Sequence, residues 1–251
     1  MKNNIKQKKP TNKKEFAYFL AGLIDADGHI NKKELAITFH ANDISTAYYL
    51  KKVIGHGSIR KLKNMRAYNF EIYSKKGLSQ VMKLITNKLR LPLRIQQFNT
   101  HLVPKLDCKP TKQDYSCLLN NHWLAGFIQG DGSFQIKLLK VKTKLGLRVQ
   151  LTMQISLKTD ILLTAIKNDF GGYIGFRKPH NTYYYSSGSF INAEKFIQYL
   201  DYYQVMGAKF KGYRLWKKAF EQVQNKAHLT SQGLETLKEL KMLLSSVKNK
   251  I

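Results

Sequence analysis

The chain has 251 residues, with 43 Lys plus Arg against 16 Asp plus Glu and a net charge of +27. That length can bury a sizeable core in one large domain or two small ones. Self-repulsion on this scale calls for a polyanionic partner, nucleic acid ahead of an anionic membrane surface.

Cys108 and Cys117 are the only cysteines and make neither a disulfide framework nor a zinc motif. They read as ordinary residues of a reducing, intracellular compartment. No apolar run approaches the roughly 18 residues needed to cross a bilayer, so no membrane partner is expected. The excess of Lys over Arg, with much Asn, Ile and Tyr, hints at an A/T-rich coding genome.

Residues 1–11 form a Lys- and Asn-rich arm, read either as touching phosphate or as a free tail. The arm lacks the apolar core of a secretory signal and the Arg and Ser richness of a transit peptide. A helix is predicted from an Asn12 N-cap to Ala26, with Gly28 at its exit. Leu35, Ile37 and Phe39 alternate with Ala36, Thr38 and His40, a strand with one apolar face. Asp43 opens a helix through Ile54, closed by Gly55-His56-Gly57. Residues 58–63 and 66–74 flank Asn64-Met65 as a hairpin. Tyr68, Phe70 and Ile72 take one face of its second strand, Asn69 and Glu71 the other. An amphipathic helix follows over 77–88, and Pro92 breaks the chain before another over 93–102. Residues 104–119, with Pro104, Pro110 and several lysines, read as a linker.

The order then repeats. A helix over 121–130 leads into a strand over 132–140. The clearest strand in the chain sets Leu147, Val149, Leu151, Met153 and Ile155 on one face. Arg148, Gln150, Thr152, Gln154 and Ser156 form its other face. Asp160 begins a helix ending at Gly171-Gly172, and 173–178 with 182–188 make a second hairpin. Within it, Tyr183 and Tyr185 are expected in the core. Helices are predicted over 192–200, 207–223 and 229–247. The unit is helix, two strands, helix, two strands and further helices, written twice.

One stretch anchors each copy. Leu20-Ala21-Gly22-Leu23-Ile24-Asp25-Ala26-Asp27-Gly28 returns as Leu124-Ala125-Gly126-Phe127-Ile128-Gln129-Gly130-Asp131-Gly132. Gly22 with Ala26, and Gly126 with Gly130, stand four apart and so share a helix face. Small residues there let two helix backbones approach closely. Packed together, the two helices bring Asp27 and Asp131 into company at their C-terminal ends. Two carboxylates about 4 Å apart repel by roughly 4 kcal/mol at an effective dielectric near 20, and the helix C-termini add negative charge. A divalent cation would relieve that arrangement.

These residues resemble the signature of the LAGLIDADG homing endonucleases, in their single-chain form with two motifs. The first copy matches letter for letter. The second departs at Phe127 and Gln129, 104 residues separate Asp27 from Asp131, and the resemblance covers nearly the whole chain. It implies a mixed α/β fold of two pseudo-symmetric αββαββα halves, with saddle-shaped antiparallel sheets and a central two-helix interface. The halves would be 12–103 and 120–251, joined by the 104–119 linker. It places Asp27 and Asp131 as Mg²⁺ ligands, with the carbonyls of Ala26 and Gly130 as further ligands. Two or three divalent ions are expected, with Mn²⁺ or Ca²⁺ able to substitute in crystals. Each acid would serve mainly one strand. Asp25 has no acidic counterpart and is read as structural. The family often carries a basic or polar residue near each metal. Lys209 stands there in the second half, and Gln96 or Gln97 in the first. A Gln cannot be a strong base, which puts equal cleavage of the two strands in doubt.

Arg148, Gln150, Thr152 and Gln154 are hydrogen-bonding side chains of the kind that read base edges, and a two-stranded ribbon fits the major groove. Thr38, His40, Arg60, Arg66 and Asn69 form the parallel set in the first copy. Lys61, Lys137, Lys140, Lys142, Lys144, Arg177 and Lys178 would contact phosphate, which sets affinity but not sequence preference. Lys32, Glu71, Gln135, Thr182 and Tyr184 complete the candidate contacts. The expected protein is an intron-encoded monomer that cuts both strands of a long, asymmetric DNA duplex in an organelle. The absence of a splicing-type Cys or Ser start disfavours an intein origin. The alternatives are an intron RNA maturase and a cleavage-dead DNA-binding protein.

Overall fold

The structure, a computed structural model, describes residues 7–142 and 146–249. Lys144 and the first six residues of the expected arm lie outside the described residues. The chain divides into two compact units. The first runs to Asp131 and takes back Tyr203–Gly207, and the second holds Gly132–Tyr202 and the residues from Ala208 onward.

The first unit opens with α1 (Lys13–Asp27). The Asn12 side chain accepts from Glu15 N, and Glu15 in turn accepts from Thr11 N at 2.7 Å, so donors at the helix start are satisfied reciprocally. At the other end Gly28 is extended, with φ −74°, and begins β1 (Gly28–Ile30). Alternation cannot locate a strand of three residues, so β1 was counted in the two-strand pattern without a range of its own. There follow β2 (Leu35–His40), α2 (Ile44–Ile54), β3 (Ser58–Lys61), β4 (Ala67–Ile72) and α3 (Lys75–Ile85). Gly55, at φ +76°, closes α2 in the left-handed conformation that favours glycine. The sheet is antiparallel in the order β1-β2-β4-β3. Ile37, Phe70 and Ile72 are fully buried on one face, as are Leu78, Val81 and Ile85 of α3.

α4 (Pro92–Gln97) runs through a π-turn, Phe98–Leu102, into α5 (Val103–Leu106). Pro104 does not break this run, because it sits in the first turn of α5, where a missing N–H costs little. The expected linker is laid down on the unit. Arg90 bonds Asp114 at 2.9 Å and the Ser116 carbonyl at 2.7 Å, and Thr111 exchanges bonds with Asn99. The described end of the N-terminal arm is also engaged. Lys8 N donates to Gln204 at 2.6 Å, and the Lys9 ammonium lies over the Tyr49 ring. The unit closes with α6 (Trp123–Asp131).

The second unit repeats the pattern with β5 (Ser133–Lys140), β6 (Leu147–Leu157), α7 (Ile161–Phe170), β7 (Tyr173–Arg177) and β8 (Thr182–Ser186). α8 (Phe190–Tyr202), α9 (Gly207–Gln224) and α10 (Ser231–Asn249) complete it. Its sheet order, β5-β6-β8-β7, is that of the first sheet, again wholly antiparallel. Met153, Ile155 and Tyr185 point into a core where Phe170 stacks on Phe196 at 4.1 Å and Phe134 packs on Trp216 at 5.3 Å. Tyr183, also expected in the core, is half-exposed against Phe176. The two halves are pseudo-symmetric, as the duplicated pattern predicts. No helix among the described residues is long and apolar enough to cross a membrane.

Candidate active site

α1 and α6 pack along their small residues. A Cβ on Gly22 would overlap the Trp123 carbonyl oxygen, and one on Gly126 the Phe19 carbonyl oxygen. Both glycines are there because backbone meets backbone. One turn further on, a Cβ on Gly130 would lie 2.5 Å from Asp27 Oδ2 and 2.6 Å from Ala26 Cβ. The Asp27 carboxylate thus occupies the space that the missing side chain leaves, against the residue that precedes Asp131. Asp27 is exposed, and Asp131, Ala26 and Gly130 are half-buried.

Asp25 does different work. It is 1% exposed and accepts from Arg90 N at 2.7 Å, Leu91 N at 3.2 Å and the Trp123 indole at 3.0 Å. It therefore ties α1 both to the segment entering α4 and to α6. Burial pushes its carboxyl up to about 7, opposed by those three donors. Gln129 holds the same motif position in the second copy and accepts from Met206 N at 2.7 Å, just ahead of α9. Both residues are buried acceptors that pin a motif helix to the segment entering the next one. This explains why an acid and an amide interchange here.

Around the end of α1 the structure adds a cation that the sequence did not announce. Arg94, half-buried on α4, donates through Nε to Ile24 O at 3.0 Å and through NH1 to Gln97 Oε1 at 3.2 Å. Burial lowers its pKa, and the charges of Asp25, Asp131 and Asp27 pull it back up. Gln97 Oε1 also accepts from Ile30 N at 3.4 Å, so Gln97 lies against β1 while Gln96 is exposed. The usable signal was the three-residue spacing of Arg94 and Gln97, which puts them on one helix face. In the second unit, Lys209 on α9 donates to the Gly132 carbonyl at 2.6 Å.

The polar sheet faces assemble most of the expected contacts. Residues directly opposite on paired strands share a face. In the first unit Thr38, Asn69 and Arg60 lie in one row. Thr38 Oγ1 donates to Asn69 Oδ1 at 2.9 Å, and Asn69 Nδ2 to Glu71 Oε1 at 3.1 Å. Glu71, expected among the outward contacts, is instead 3% exposed. It takes Arg60 NH2 at 2.7 Å and Tyr73 OH at 2.9 Å, and the Arg60 bond holds its carboxyl below the usual range. It orients its neighbours rather than reaching outward itself. Tyr73 is an addition to the expected set. His40 Nδ1 accepts from Asn42 N, and Lys32, Lys61 and Arg66 are exposed.

In the second unit Gln135 faces Thr152, Lys137 faces Gln150, and Arg177 faces Thr182. Thr152 is fully buried, which corrects its expected place on the open face. Gln135 Nε2 bonds Gln154 Oε1 at 3.1 Å beside it, and these longer side chains cover the short threonine. Gln150 donates to Gly188 O at 3.2 Å. Arg177 donates to Ser156 Oγ at 3.3 Å and lies 4.6 Å over the Tyr184 ring. Arg148, Lys140, Lys142 and Lys178 are exposed, with Lys137 and Thr182 half-buried.

The family pattern of the LAGLIDADG endonucleases matches residues 124–220. The chain is 42% identical over 245 residues to an uncharacterized cox1 intron-2 37.2 kDa protein of Schizosaccharomyces pombe, covering 93% of this chain and 74% of that one. It is 27% identical to a probable intron-encoded endonuclease aI2 of Debaryomyces hansenii, over 82% of this chain. It is 28% identical to the intron-encoded RNA maturase bI4 of Saccharomyces cerevisiae, over 67% of this chain. It spans 33% and 26% of those two relatives. Among solved structures it is similar to I-SmaMI bound to uncleaved DNA with calcium ions, at TM-score 0.72 and 26% identity, covering 90% of this chain and 97% of that one. The same neighbour bound to cleaved DNA gives TM-score 0.71 at 25% identity, over 90% of this chain and 95% of that one. With the duplicated motif, the repeated sheet order and these likenesses, the chain belongs to the LAGLIDADG endonuclease family.

Proposed function

We propose that the protein is a site-specific homing endonuclease. It acts as a monomer and cuts both strands of a long, asymmetric DNA duplex by Mg²⁺-dependent phosphodiester hydrolysis. The observation that carries this reading is the Asp27 carboxylate seated against Gly130, the residue before Asp131, at the ends of two helices packed backbone to backbone. Among the described residues no group of three or more His, Cys, Asp or Glu forms a closed metal cage. An open set of two carboxylates, with the Ala26 and Gly130 carbonyl oxygens, suits Mg²⁺, which keeps waters and takes phosphate oxygens as well. Asp27 and Asp131 would hold two or three such ions. When bound, the metal supplies an activated water and charge stabilisation at the leaving oxygen.

The chain's own groups divide the remaining work. Asp27 and Asp131 each serve mainly one scissile phosphate. Lys209 orients water or offsets phosphate charge in the second half. Gln97 takes the corresponding place in the first and can only position a water, because an amide does not accept a proton. Sequence is read by the two polar sheet faces, with Arg60, Asn69 and Thr38 in one half and Gln135, Gln154, Arg148 and Arg177 in the other. Because these sets differ, the two half-sites differ. The surrounding lysines supply the salt-dependent affinity. The halves run over 12–103 and 120–251, joined by 104–119. The intron-encoded relatives support expression from an intron, in an organelle.

The test is nicking of duplexes selected from a randomised library, with Mg²⁺, by the wild type and by Asp27→Asn with Asp131→Asn. The double variant should bind its target and cut neither strand. Unchanged cutting would remove both acids from the mechanism. A second reading, an RNA maturase, is favoured by the likeness to the yeast maturase. Binding of intron RNA that survives loss of both acids, with no DNA site recovered, would select it.

A further inference from the structure

We infer that Arg94 is the fixed cation of the first-half site, a positioning residue that offsets the charge of Asp27 and Asp131 and holds Gln97 as a hydrogen-bond donor. The inference rests on the endonuclease reading and deepens it. It begins from a mismatch between the halves. Where the second half presents Lys209, the first presents a neutral amide at Gln97, so a cation is missing by position.

The structure supplies one nearby. Arg94 is held at two points, by Ile24 O at 3.0 Å and Gln97 Oε1 at 3.2 Å. Ile24 O, in the last turn of α1, accepts from Gly28 N as well as from Arg94, and the negative end of the helix there favours a cation. Three carboxylates, Asp25, Asp131 and Asp27, bear on this one guanidinium. Asp25 is already met by three N–H groups. Arg94 is drawn most strongly by Asp25 and also by Asp131 and Asp27, so its charge extends to the two acids at the helix ends.

Gln97 is fixed by the same bond. Its Oε1 receives both Arg94 NH1 and Ile30 N, and a flipped amide would set N–H against both donors. Its Nε2 hydrogens are what it can offer to a water or a phosphate oxygen. Arg stays charged at any working pH. The first half then combines a permanent cation with an amide donor, whereas the second uses a single lysine.

The test uses the full chain with Arg94→Met, Arg94→Lys and Gln97→Leu, thermal midpoints being measured for each. Calcium alone is titrated by calorimetry into the DNA-free protein. Nicking of each strand of the selected target is followed separately with Mg²⁺. Removing a cation that competes with the metal should tighten calcium binding in Arg94→Met about tenfold, which is about 1.4 kcal/mol. Arg94→Lys should stay within about threefold of wild type. Gln97→Leu, which keeps the charge, should leave calcium affinity unchanged. Arg94→Met and Gln97→Leu should slow the same strand at least about tenfold more than the other, the asymmetry expected when one half loses a group made only for its own phosphate. The proposal is overturned if Arg94→Met binds calcium no better than wild type, if Gln97→Leu tightens it equally, or if both strands slow alike. Should Arg94→Met not fold, a calcium affinity in Arg94→Lys outside the threefold range, or equal slowing by Gln97→Leu, overturns it. Failure of the wild type to nick any duplex would sink the endonuclease reading, while the calcium titration would still decide the role of Arg94.

Discussion

Gly126→Ala adds one methyl group where the backbone of α6 meets the backbone of α1. That methyl would overlap the Phe19 carbonyl oxygen and lie 3.0 Å from Leu23 N. Both are backbone atoms of a neighbouring helix, so no rotamer change relieves the clash. α1 and α6 would have to part by about 1 Å, and a gap of that size forfeits roughly a quarter to a half of the dispersion well at each contact across the seam. Phe19, Leu20, Ile24, Trp123, Leu124 and Phe127 of the two helices are all fully buried, so the loss is shared by the centre of the unit. Overpacking a core typically costs about 1–3 kcal/mol, and a backbone-on-backbone clash belongs at or above the top of that range. Against a total stability of about 5–15 kcal/mol, ~3 kcal/mol is large. Gly212→Ala in α9 is the matched control. Its Cβ would meet only Leu244 Cδ1 at 3.4 Å, so the higher helix propensity of alanine should stabilise by roughly 0.5–1 kcal/mol. Urea unfolding of both variants measures the contrast. A loss under about 1 kcal/mol for Gly126→Ala would refute the claim that backbone contact, rather than mere smallness, places glycine here.

Asp25 should leave a pH signature. Its folded carboxyl is raised from 3.8 to about 7. The unfolded chain releases this proton first as pH rises, so the contribution is full below the unfolded value and is lost on the way to about pH 7. It is on the order of 4 kcal/mol in all. The stability of Asp25→Asn should fall less than that of the wild type between those limits, and parallel unfolding curves at pH 4.5 and 7.5 would argue against it. Glu71→Gln should release Arg60, Asn69 and Tyr73 from a common partner. About 1–3 kcal/mol of base discrimination at the first half-site should be lost, seen by titrating singly substituted targets, whereas equal weakening on all targets would mean that Glu71 orients nothing. Lys178→Ala should lower the slope of log K against log salt by about 0.9 with little change in preferred sequence, and an unchanged slope would remove it from the phosphate contacts.

Much of the molecule was legible because its signals are local. The two motif helices follow from small residues four apart, and the polar and apolar faces of β2, β4 and β6 from a period of two. The caps at Asn12 and Gly55 follow from side-chain and backbone preferences within one turn. β1 was counted in the pattern but not located, because three residues hold barely more than one cycle of a period of two. Pro104 carries little local information, because a proline looks alike in a linker and in a helix first turn, where it sits here. Glu71 and Thr152 were assigned to the open face by parity. Their burial depends on neighbouring side chains that parity does not reveal, Arg60 and Tyr73 bonded to one and Gln135 and Gln154 beside the other.

The sequence by itself determined the duplication, the pairing of two small-residue helices and the presence of one acid at the end of each. These properties repeat within a few residues and need no partner to be read. Only the tertiary structure decided that Asp25 and Gln129 are buried anchors, that Gln97 rather than Gln96 lies against β1, and that Arg94 ties the end of α1 to Gln97. Those outcomes are set by groups dozens of residues apart meeting at hydrogen-bond distance, and the strength of a charge or a donor depends on what surrounds it once water has been removed.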